Sequence, residues 1–285
     1  MLIKATPEDI AQYGDFAYRL ALDPTRSAYP AYSDGIKTRM GFEADAVSAV
    51  TKDTSELLLF VSEGTVEGWI QYFWIPQDRY LQLSACNIRC GTARALAELL
   101  ELLRERFPGY TMYFGFPGEN TEAIRFLREH GFQSIEEDWN HSFFFDNYDP
   151  HPADAGVIRI TRENFEDFRT VYHPEPETYW DCDRILETMD DWIIFGFYKN
   201  GVPAAAVFLQ GEDGYYEIYG LEFADGIFAE DIFRALLTAA LNACKGMGAK
   251  YMTYFCGEKA RRILPELGFR CVGRYVLHIK TLDEG

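Results

Sequence analysis

The pattern of hydrophobic and polar positions repeats once along the chain, with an offset of 137 residues. Residues 126–132 (FLREHGF) correspond to residues 263–269 (ILPELGF), and residues 57–60 (LLLF) correspond to residues 194–197 (IFGF). Self-similarity at one fixed offset, in matching order, is typical of a duplicated structural unit. The sequence therefore predicts two copies of one domain, which can be compared position by position.

Each copy predicts the same order of elements: a short strand, a helical stretch, a hairpin, a strand, a helix, a strand, a short helix that ends at a glycine, and a closing strand. In the first copy, Leu96, Leu99, Leu100 and Leu103 have the spacing of an amphipathic helix. Strands that alternate with helices after an early hairpin predict an α/β (α+β) fold. We expect each domain to have a mixed, mostly antiparallel sheet flanked by helices.

The predicted domain boundary lies at residues 146–152 (DNYDPHP), which have the composition of a linker. This places an N-terminal domain at residues 1–148 and a C-terminal domain at residues 153–285. The copies differ in length near their starts: Thr6 to Gly64 spans 58 residues, and Thr161 to Gly201 spans 40.

Composition and charge narrow the function classes. With 285 residues, 48% of them hydrophobic, the chain supplies core material for two domains. A net charge of −18 disfavours nucleic acid as a partner, because Lys and Arg must neutralise phosphates there. The same charge suits a cationic small molecule such as an amine, although a solvated acidic surface is the commoner explanation.

The cysteines indicate no metal site. None of the six belongs to a CxxC pair or to a Cys/His cluster with zinc spacing, so we interpret them as reduced, buried residues. The first residues lack the apolar run of a signal peptide, and no apolar stretch is long enough to span a membrane. We expect a cytoplasmic protein with no membrane partner and no metal.

Residues 120–132 (NTEAIRFLREHGF) resemble the N-x-x-A-x-x-[LF]-[YFL]-x-x-x-G-F pattern of the GCN5-related N-acetyltransferase (GNAT) superfamily. The matching positions are Asn120, Ala123, Phe126, Gly131 and Phe132. Taken alone, the motif also fits an ordinary amphipathic helix with a glycine cap. Because it recurs in the second copy with Gly257 in place of the asparagine, the chain resembles two GNAT-like domains in tandem.

The resemblance implies acetyl-CoA as co-substrate, held where the fourth strand turns into the next helix. In such turns small residues let backbone N–H groups approach the pyrophosphate, and the helix N-terminus adds a favourable partial charge. The implied cofactor contacts of the first copy are Leu83, Ser84, Ala85, Ile88, Arg89, Cys90, Gly91, Thr92, Ala93 and Asn120. The alternative is a plain strand-to-helix turn in which Gly91 serves only the geometry.

The second copy departs from the family pattern at this turn. At the offset of 137, Phe228 corresponds to Gly91 and Glu230 to Ala93. A bulky ring obstructs close backbone approach, and Asp225 and Asp231 repel a pyrophosphate. The sequence therefore predicts a degenerate cofactor loop in the second domain and cofactor binding in the first.

The catalytic groups of the family are only partly present. The resemblance implies a tyrosine that protonates the departing thiolate four residues before the Gly-Phe pair, but Leu127 and Leu264 occupy those positions. Asp78 is the candidate general base, and its alternative is a turn residue in Pro76-Gln77-Asp78-Arg79.

Two aromatic and acidic segments, residues 29–34 (YPAYSD) and 172–181 (YHPEPETYWD), are candidates for an acceptor pocket that cages an amine. The alternative is that each is a loop that packs its own rings on the domain. Two functions remain open: an acyl-CoA-dependent N-acyltransferase acting on a small amine, and a non-catalytic ligand-binding or interaction protein. The oligomeric state is not determined by the sequence.

Overall fold

A computed structural model describes residues 1–175 and 178–283 of the chain. These form two compact units. Unit 1 comprises Met1–Asp138 together with Val272–Gly285, and unit 2 comprises Trp139–Cys271. The sequence-based domains, 1–148 and 153–285, describe the repeat along the chain and stay a prediction. The compact units differ from them because each unit takes its closing strand from the other half of the sequence.

The helices and strands follow in this order along the chain. The first half contains β1 (Leu2–Lys4), α1 (Pro7–Ala21), α2 (Arg39–Thr51), β2 (Ser55–Ser62), β3 (Thr65–Ile75), β4 (Tyr80–Ile88), α3 (Thr92–Arg106), β5 (Thr111–Pro117), α4 (Thr121–Glu129) and β6 (Gln133–Phe144). The second half contains β7 (Val157–Ile160), α5 (Phe165–Arg169), α6 (Cys182–Glu187), β8 (Trp192–Lys199), β9 (Val202–Glu212), β10 (Tyr215–Phe223), α7 (Glu230–Gly246), β11 (Tyr251–Cys256), α8 (Glu258–Ile263) and β12 (Arg270–Thr281).

The sheet of unit 1 has the strand order β1-β2-β3-β4-β5-β12. All neighbours are antiparallel except β4 and β5, which are parallel. Strand β12 completes this sheet from the end of the chain, with Tyr275 opposite Pro117 and Thr281 opposite Thr111. Helix α3 packs on one face, where Leu96, Leu99 and Leu103 are buried, and α1 and α2 pack on the other.

The sheet of unit 2 has the order β6-β11-β10-β9-β8-β7. Here β10 and β11 are parallel and the other neighbours are antiparallel. Strand β6 closes this sheet, with Trp139 opposite Cys256 and Phe144 opposite Tyr251. Helix α7 buries Phe233, Leu236 and Leu237 against it. Each unit is therefore the mixed, mostly antiparallel sheet flanked by helices that the sequence predicts.

Local sequence explains where the helices of unit 1 begin and end. Thr6 caps α1 in a reciprocal pair with Asp9, and the Asn120 side chain caps α4 by accepting from the Ala123 N–H at 3.2 Å. Gly131, with φ of +77°, follows the end of α4. Within the described ranges, no helix has the length and apolar character needed to cross a membrane.

Candidate functional site

In each unit the two parallel strands pair only at their starts and then separate. Strands β4 and β5 pair from Tyr80–Thr111 to Gln82–Tyr113, and β10 and β11 pair from Tyr215–Tyr251 to Ile218–Tyr254. An extra residue, Ser84 in β4 and Tyr219 in β10, interrupts the register with the preceding strand just after the last parallel pair. Such bulges bend a strand and increase its twist. Each unit therefore has a gap between its parallel strands.

In unit 1 the gap is bridged by the chain itself. Residues 26–31, which we name the plug segment, lie between α1 and α2 and bond to both strands. The Ile88 N–H of β4 donates to the Arg26 carbonyl, and the Tyr29 N–H donates to the Gly115 carbonyl of β5, each at 3.0 Å. Ala28 is 2% exposed and packs in the core below α3. The Ile88 N–H and the Gly115 carbonyl, with which an extended ligand in the gap would form hydrogen bonds, are therefore already bonded to the plug segment.

Two N–H groups of the turn after β4 also have partners within unit 1. Besides Ile88, the Arg89 N–H donates to the Glu67 carbonyl at 2.7 Å, and the Ala93 N–H donates to the Glu122 carboxylate at 3.0 Å. Glu122 lies in the first turn of α4 and acts here as the anion at the start of α3. A pyrophosphate at this position must displace a carboxylate that is covalently part of the chain.

The positive charge of this turn is neutralised locally. Both Arg89 Nε and Nη2 donate to the Glu67 carboxylate, at 2.8 and 2.7 Å. The Cys90 thiol donates to the same carboxylate at 3.0 Å, and this hydrogen bond raises the pKa of that thiol. Because Glu67 neutralises the Arg89 guanidinium in this bidentate pair, Arg89 attracts a phosphate only weakly.

The residues implied as cofactor contacts occupy several environments. Leu83 and Ile88 are in the core on the α3 side, Ala85 is in the core on the α2 side, and Cys90 and Gly91 are exposed. Asn120 is fully buried, and its Nδ2 donates to the Ser27 carbonyl of the plug segment at 3.0 Å. Asn120 therefore lies at the gap beside β4, as the sequence predicts for a cofactor contact, but its side chain is hydrogen-bonded to the plug segment. Cofactor binding at residues 83–93 stays a prediction.

The candidate catalytic positions lie apart from that turn. Asp78 ends a short 3-10 turn before β4 and is exposed, whereas Gly91 follows the other end of this strand. A nine-residue strand separates the two by about 30 Å. Leu127 is fully buried in the core, as is Leu264 in unit 2.

The two aromatic segments pack on their own units. Tyr29 contacts Tyr275 edge to face with ring centroids 4.7 Å apart, and the Asp34 carboxylate accepts from the Ile36 and Lys37 N–H groups. In the second segment, Pro176 and Glu177 lie outside the described residues.

The described rings of the second segment also have partners within unit 2. Trp180 contacts Trp192 and Tyr219, with centroids 5.3 and 6.3 Å apart. Arg184 lies over the Tyr179 ring at 4.2 Å. An aromatic–cation contact is therefore present here, with an arginine of the chain as the cation.

In unit 2 the gap between β10 and β11 opens into a cleft of about 480 Å³. The cleft is wide enough for a small ligand or part of a larger one. Its apolar walls are Leu221, Phe223, Phe228, Phe233, Tyr254 and Ala260. Phe228 packs on Phe223 and Phe233, with ring centroids 5.5 and 5.3 Å away, so it forms a wall of the cleft.

The residue of unit 2 that corresponds to Gly91 depends on whether it is counted from the strand bulge or from the helix start, where Gly91 is the N-cap of α3 and Ala229 the N-cap of α7. Gly91 follows the bulge residue Ser84 by seven positions, and Gly226 follows the bulge residue Tyr219 by seven. Both glycines have a left-handed φ, +78° and +68°. Counted from the bulge, the counterpart of Gly91 lies two residues before Phe228, and counted from the helix start it lies one residue after Phe228, because the turn before α7 is longer. A side chain at Gly226 would meet open space.

Charged groups border the cleft with both signs. Helix α7 begins after Ala229, which provides no side-chain cap, and Lys259 lines the opposite wall. Of the acids, Glu230 is paired with Arg234 at 2.8 Å, Glu222 and Glu258 line the cleft, and Asp231 lies in the first turn of α7. Desolvation raises the pKa of the Glu222 carboxyl. The N–H groups of an uncapped helix start are donors for an anion, and the acidic residues Glu230 and Asp231 in the first turn of α7 oppose one.

Sequence reasoning missed the plug segment, Glu122 and the cleft of unit 2. One signal was available: the additional length between Thr6 and Gly64 in the first copy, which contains the plug segment. Glu122 carried no signal, because its contact with Ala93 joins residues 29 positions apart. Among the described residues, no group of three or more His, Cys, Asp or Glu side chains is arranged to hold a metal ion.

Comparisons with known proteins agree with this architecture. No family model matches the chain, and no curated protein matches it. Among solved structures, a GCN5-related N-acetyltransferase from Sphaerobacter thermophilus is similar with a TM-score of 0.64 and 16% identity, over 100% of this chain and 96% of that one. A tandem GNAT protein from the clavulanic acid biosynthesis pathway is similar with a TM-score of 0.51 and 14% identity, over 100% and 99%. The chain therefore has the fold of the GCN5-related N-acetyltransferases in tandem, as its sequence predicts.

Proposed function

We propose that the protein is an acyl-CoA-dependent N-acyltransferase whose thioester binds in the cleft between β10 and β11 of unit 2. The observation that carries the proposal is the difference between the gaps. The gap of unit 1 is bridged by Arg26 and Tyr29, whereas that of unit 2 opens to about 480 Å³. The fold shared with N-acetyltransferases supports this class of reaction.

The cleft has the parts that such a co-substrate requires. Its apolar walls suit the extended thioester arm, and past Ile218 no strand within residues 1–175 and 178–283 pairs with the edge of β10 that faces the gap. The uncapped start of α7 and the ammonium of Lys259 favour the diphosphate, whereas Asp225 and Asp231 of the same turn oppose it. We propose acetyl-CoA as the acyl donor and a small primary amine as the acceptor.

When bound, the thioester supplies an activated carbonyl carbon. The neutral amine forms the new C–N bond, the C–S bond breaks, and the amine proton leaves with the thiolate or through water. Unit 2 contributes mainly alignment of the two reactants, because Leu264 occupies the position of the family's acid and is fully buried.

Two matched glycine variants test the location. Gly226→Glu and Gly91→Glu each place a carboxylate at a glycine with a left-handed φ in the turn after the bulged strand, at similar strain of about 1 kcal/mol. With saturating acetyl-CoA the wild-type protein should melt about 5 °C higher. We expect Gly226→Glu to abolish this shift and Gly91→Glu to retain it.

If instead Gly91→Glu abolishes the shift and Gly226→Glu retains it, the acyl donor binds at residues 83–93, as the sequence predicts. If acetyl-CoA stabilises neither the wild type nor either variant, acyl transfer is excluded and the non-catalytic alternative stands. That alternative is favoured by one observation, the replacement of the family's tyrosine by buried leucines at Leu127 and Leu264. Thiol release from acetyl-CoA in the presence of a panel of small amines then measures turnover.

A further inference from the structure

Unit 1 contains a cavity of about 290 Å³ between helix α4 and strand β12. We name it the α4 cavity. Thr121, Ile124, Arg125 and Arg128 line it from α4, with the i, i+3, i+4 and i+7 spacing of one helix face. None of the described residues that line it belongs to β4, β5 or the plug segment. The α4 cavity is therefore separate from the gap of unit 1.

Strand β12 forms the opposite wall of the α4 cavity. Arg274 and Val276 line it and, because they are two positions apart in a strand, they lie on the same face of the sheet. The Arg274 carbonyl accepts from the Gly118 N–H at 2.8 Å. This hydrogen bond fixes the position of Arg274 relative to the residues that lead into α4.

Three arginines converge on the α4 cavity, in a chain whose net charge is −18. Arg128 lies 3.4 Å from the Glu137 carboxylate, and Arg274 pairs with the same carboxylate. Arg125 is exposed, and no carboxylate of the described residues lies within 4.0 Å of its guanidinium. Glu129 also lines the cavity. Three positive charges therefore lie beside two negative ones, and a bound anion would balance the difference.

The donors of the α4 cavity suit a phosphate group. A guanidinium presents its N–H groups in a planar fork that matches two oxygens of a phosphate. Thr121 is exposed at the first position of α4, so its hydroxyl is a further donor beside the positive end of the helix dipole. Arg125 breaks no ion pair with a described residue when it binds an anion, and it should therefore contribute most to the affinity.

The remaining walls limit what else the ligand carries. Ile124 and Val276 are 8% and 2% exposed, and they give the α4 cavity an apolar side. A volume of about 290 Å³ is at the lower end of the range for ligand pockets. The α4 cavity therefore suits a phosphate on a short carbon body and is too small to enclose a nucleotide.

We propose that the α4 cavity binds a small phosphate monoester, at a site separate from the acyl transfer that we propose in unit 2. The phosphate bonds to Arg125 and competes with Glu137 for Arg128 and Arg274. The proposal stands on the contacts of unit 1 and does not depend on acyl-CoA binding.

Calorimetric titrations with glycerol 3-phosphate, succinate and glycerol, at matched ionic strength, test the site. We expect saturable binding of glycerol 3-phosphate, binding of succinate that is weaker by about tenfold, and no binding of glycerol. Arg125→Gln should weaken glycerol 3-phosphate binding by about tenfold and leave the melting temperature unchanged, because no ion pair is lost. Arg104→Gln, at an exposed position of α3, makes the same charge change elsewhere in unit 1 and should leave the affinity unchanged.

Glu137→Gln provides a second measurement with the opposite sign. It releases Arg128 and Arg274 from their shared carboxylate, so glycerol 3-phosphate should bind about threefold more tightly. Glu101→Gln, exposed on α3, is the matched control and should have no effect. Tighter binding in Glu137→Gln cannot result from a loss of folded protein.

The proposal is overturned if glycerol 3-phosphate shows no saturable binding or if succinate binds as tightly. It is also overturned if Arg125→Gln and Arg104→Gln have equal effects. If Arg125→Gln abolishes the stabilisation by acetyl-CoA, the arginines belong to the acyl-CoA site and the separate site is excluded. Gly226→Glu should not alter the glycerol 3-phosphate titration, so a failure here is distinct from a failure of the acyl-CoA proposal.

Discussion

Each unit has a gap between its parallel strands, β4 and β5 in unit 1 and β10 and β11 in unit 2. The two gaps arise in the same way, but one is bridged by the chain and the other is open. Both begin where two parallel strands separate beside a bulge, at Ser84 and at Tyr219. The first is bridged by the plug segment, and the second leaves a cleft with aromatic walls. Two copies of one fold can therefore divide their roles through a change in one connecting segment, without a change in strand order.

The largest effect is expected where the plug segment is anchored. Asn120→Ala removes the partners of the Ser27 carbonyl and of the Ala123 N–H, both buried. We expect the free energy of unfolding to fall by about 2–4 kcal/mol, from the lost cap and the unsatisfied groups. Chemical denaturation measures it.

The matched position in unit 2 is Gly257, where an added Cβ meets no neighbour within 4 Å. Gly257→Ala should change stability by less than about 0.5 kcal/mol. A loss for Asn120→Ala of only about 1 kcal/mol, the typical value of a helix cap, would mean that Asn120 serves only as a cap and that the plug segment is not held by it.

A smaller effect distinguishes two roles of Phe228. As a wall of the cleft, its ring contributes apolar contact to the ligand, so Phe228→Ala should weaken acetyl-CoA binding by about fivefold, or about 1 kcal/mol. As an obstruction, which the sequence comparison suggests, its removal should tighten binding. The sign of the change in Kd, measured by calorimetry, decides between them.

The smallest effect concerns the charge at Glu222, whose counterpart by strand register in unit 1 is the neutral Asn87. The raised pKa of Glu222 means that its carboxyl becomes protonated at a higher pH than usual. As the pH falls through that value, repulsion of the diphosphate is lost and acetyl-CoA should bind about threefold more tightly.

Glu222→Gln should show the tighter binding at all pH values. This variant should also remove the pH dependence between neutral and mildly acidic solution. A pH dependence that persists unchanged in Glu222→Gln would assign it to another group, and measurement of Kd against pH separates the two outcomes.

The sequence predicted the fold because its signals are local. The apolar spacing of Leu96, Leu99 and Leu103, the cap at Asn120 and the glycine at Gly131 each involve neighbours within a few residues. Whether a gap is bridged depends on contacts between residues that are far apart in the sequence, such as the contact of Asn120 with Ser27, 93 residues away. No periodic pattern reports such a contact.

The alignment of the second turn failed for a related reason. The offset of 137 residues holds for α3 with α7 and for α4 with α8, whereas counting from the bulges of β4 and β10 brings Gly91 opposite Gly226. Two additional residues before α7 explain why the alignment of the helices differs from the alignment of β4 with β10. Only the alignment of the strands shows where these residues lie. Turns tolerate such insertions more readily than strands or helices do.

The closing strand of unit 1 has a consequence for synthesis on the ribosome. The hydroxyls of Thr111 and Thr281 lie 3.0 Å apart although 170 residues separate them in the chain. Because β12 pairs with β5, the half of the protein that is translated first cannot finish its sheet until residues 275–281 have emerged. Until then the edge of β5 that pairs with β12 is an unpaired strand edge. Most of unit 2 is translated before β12, so unit 2 can fold before unit 1 is complete.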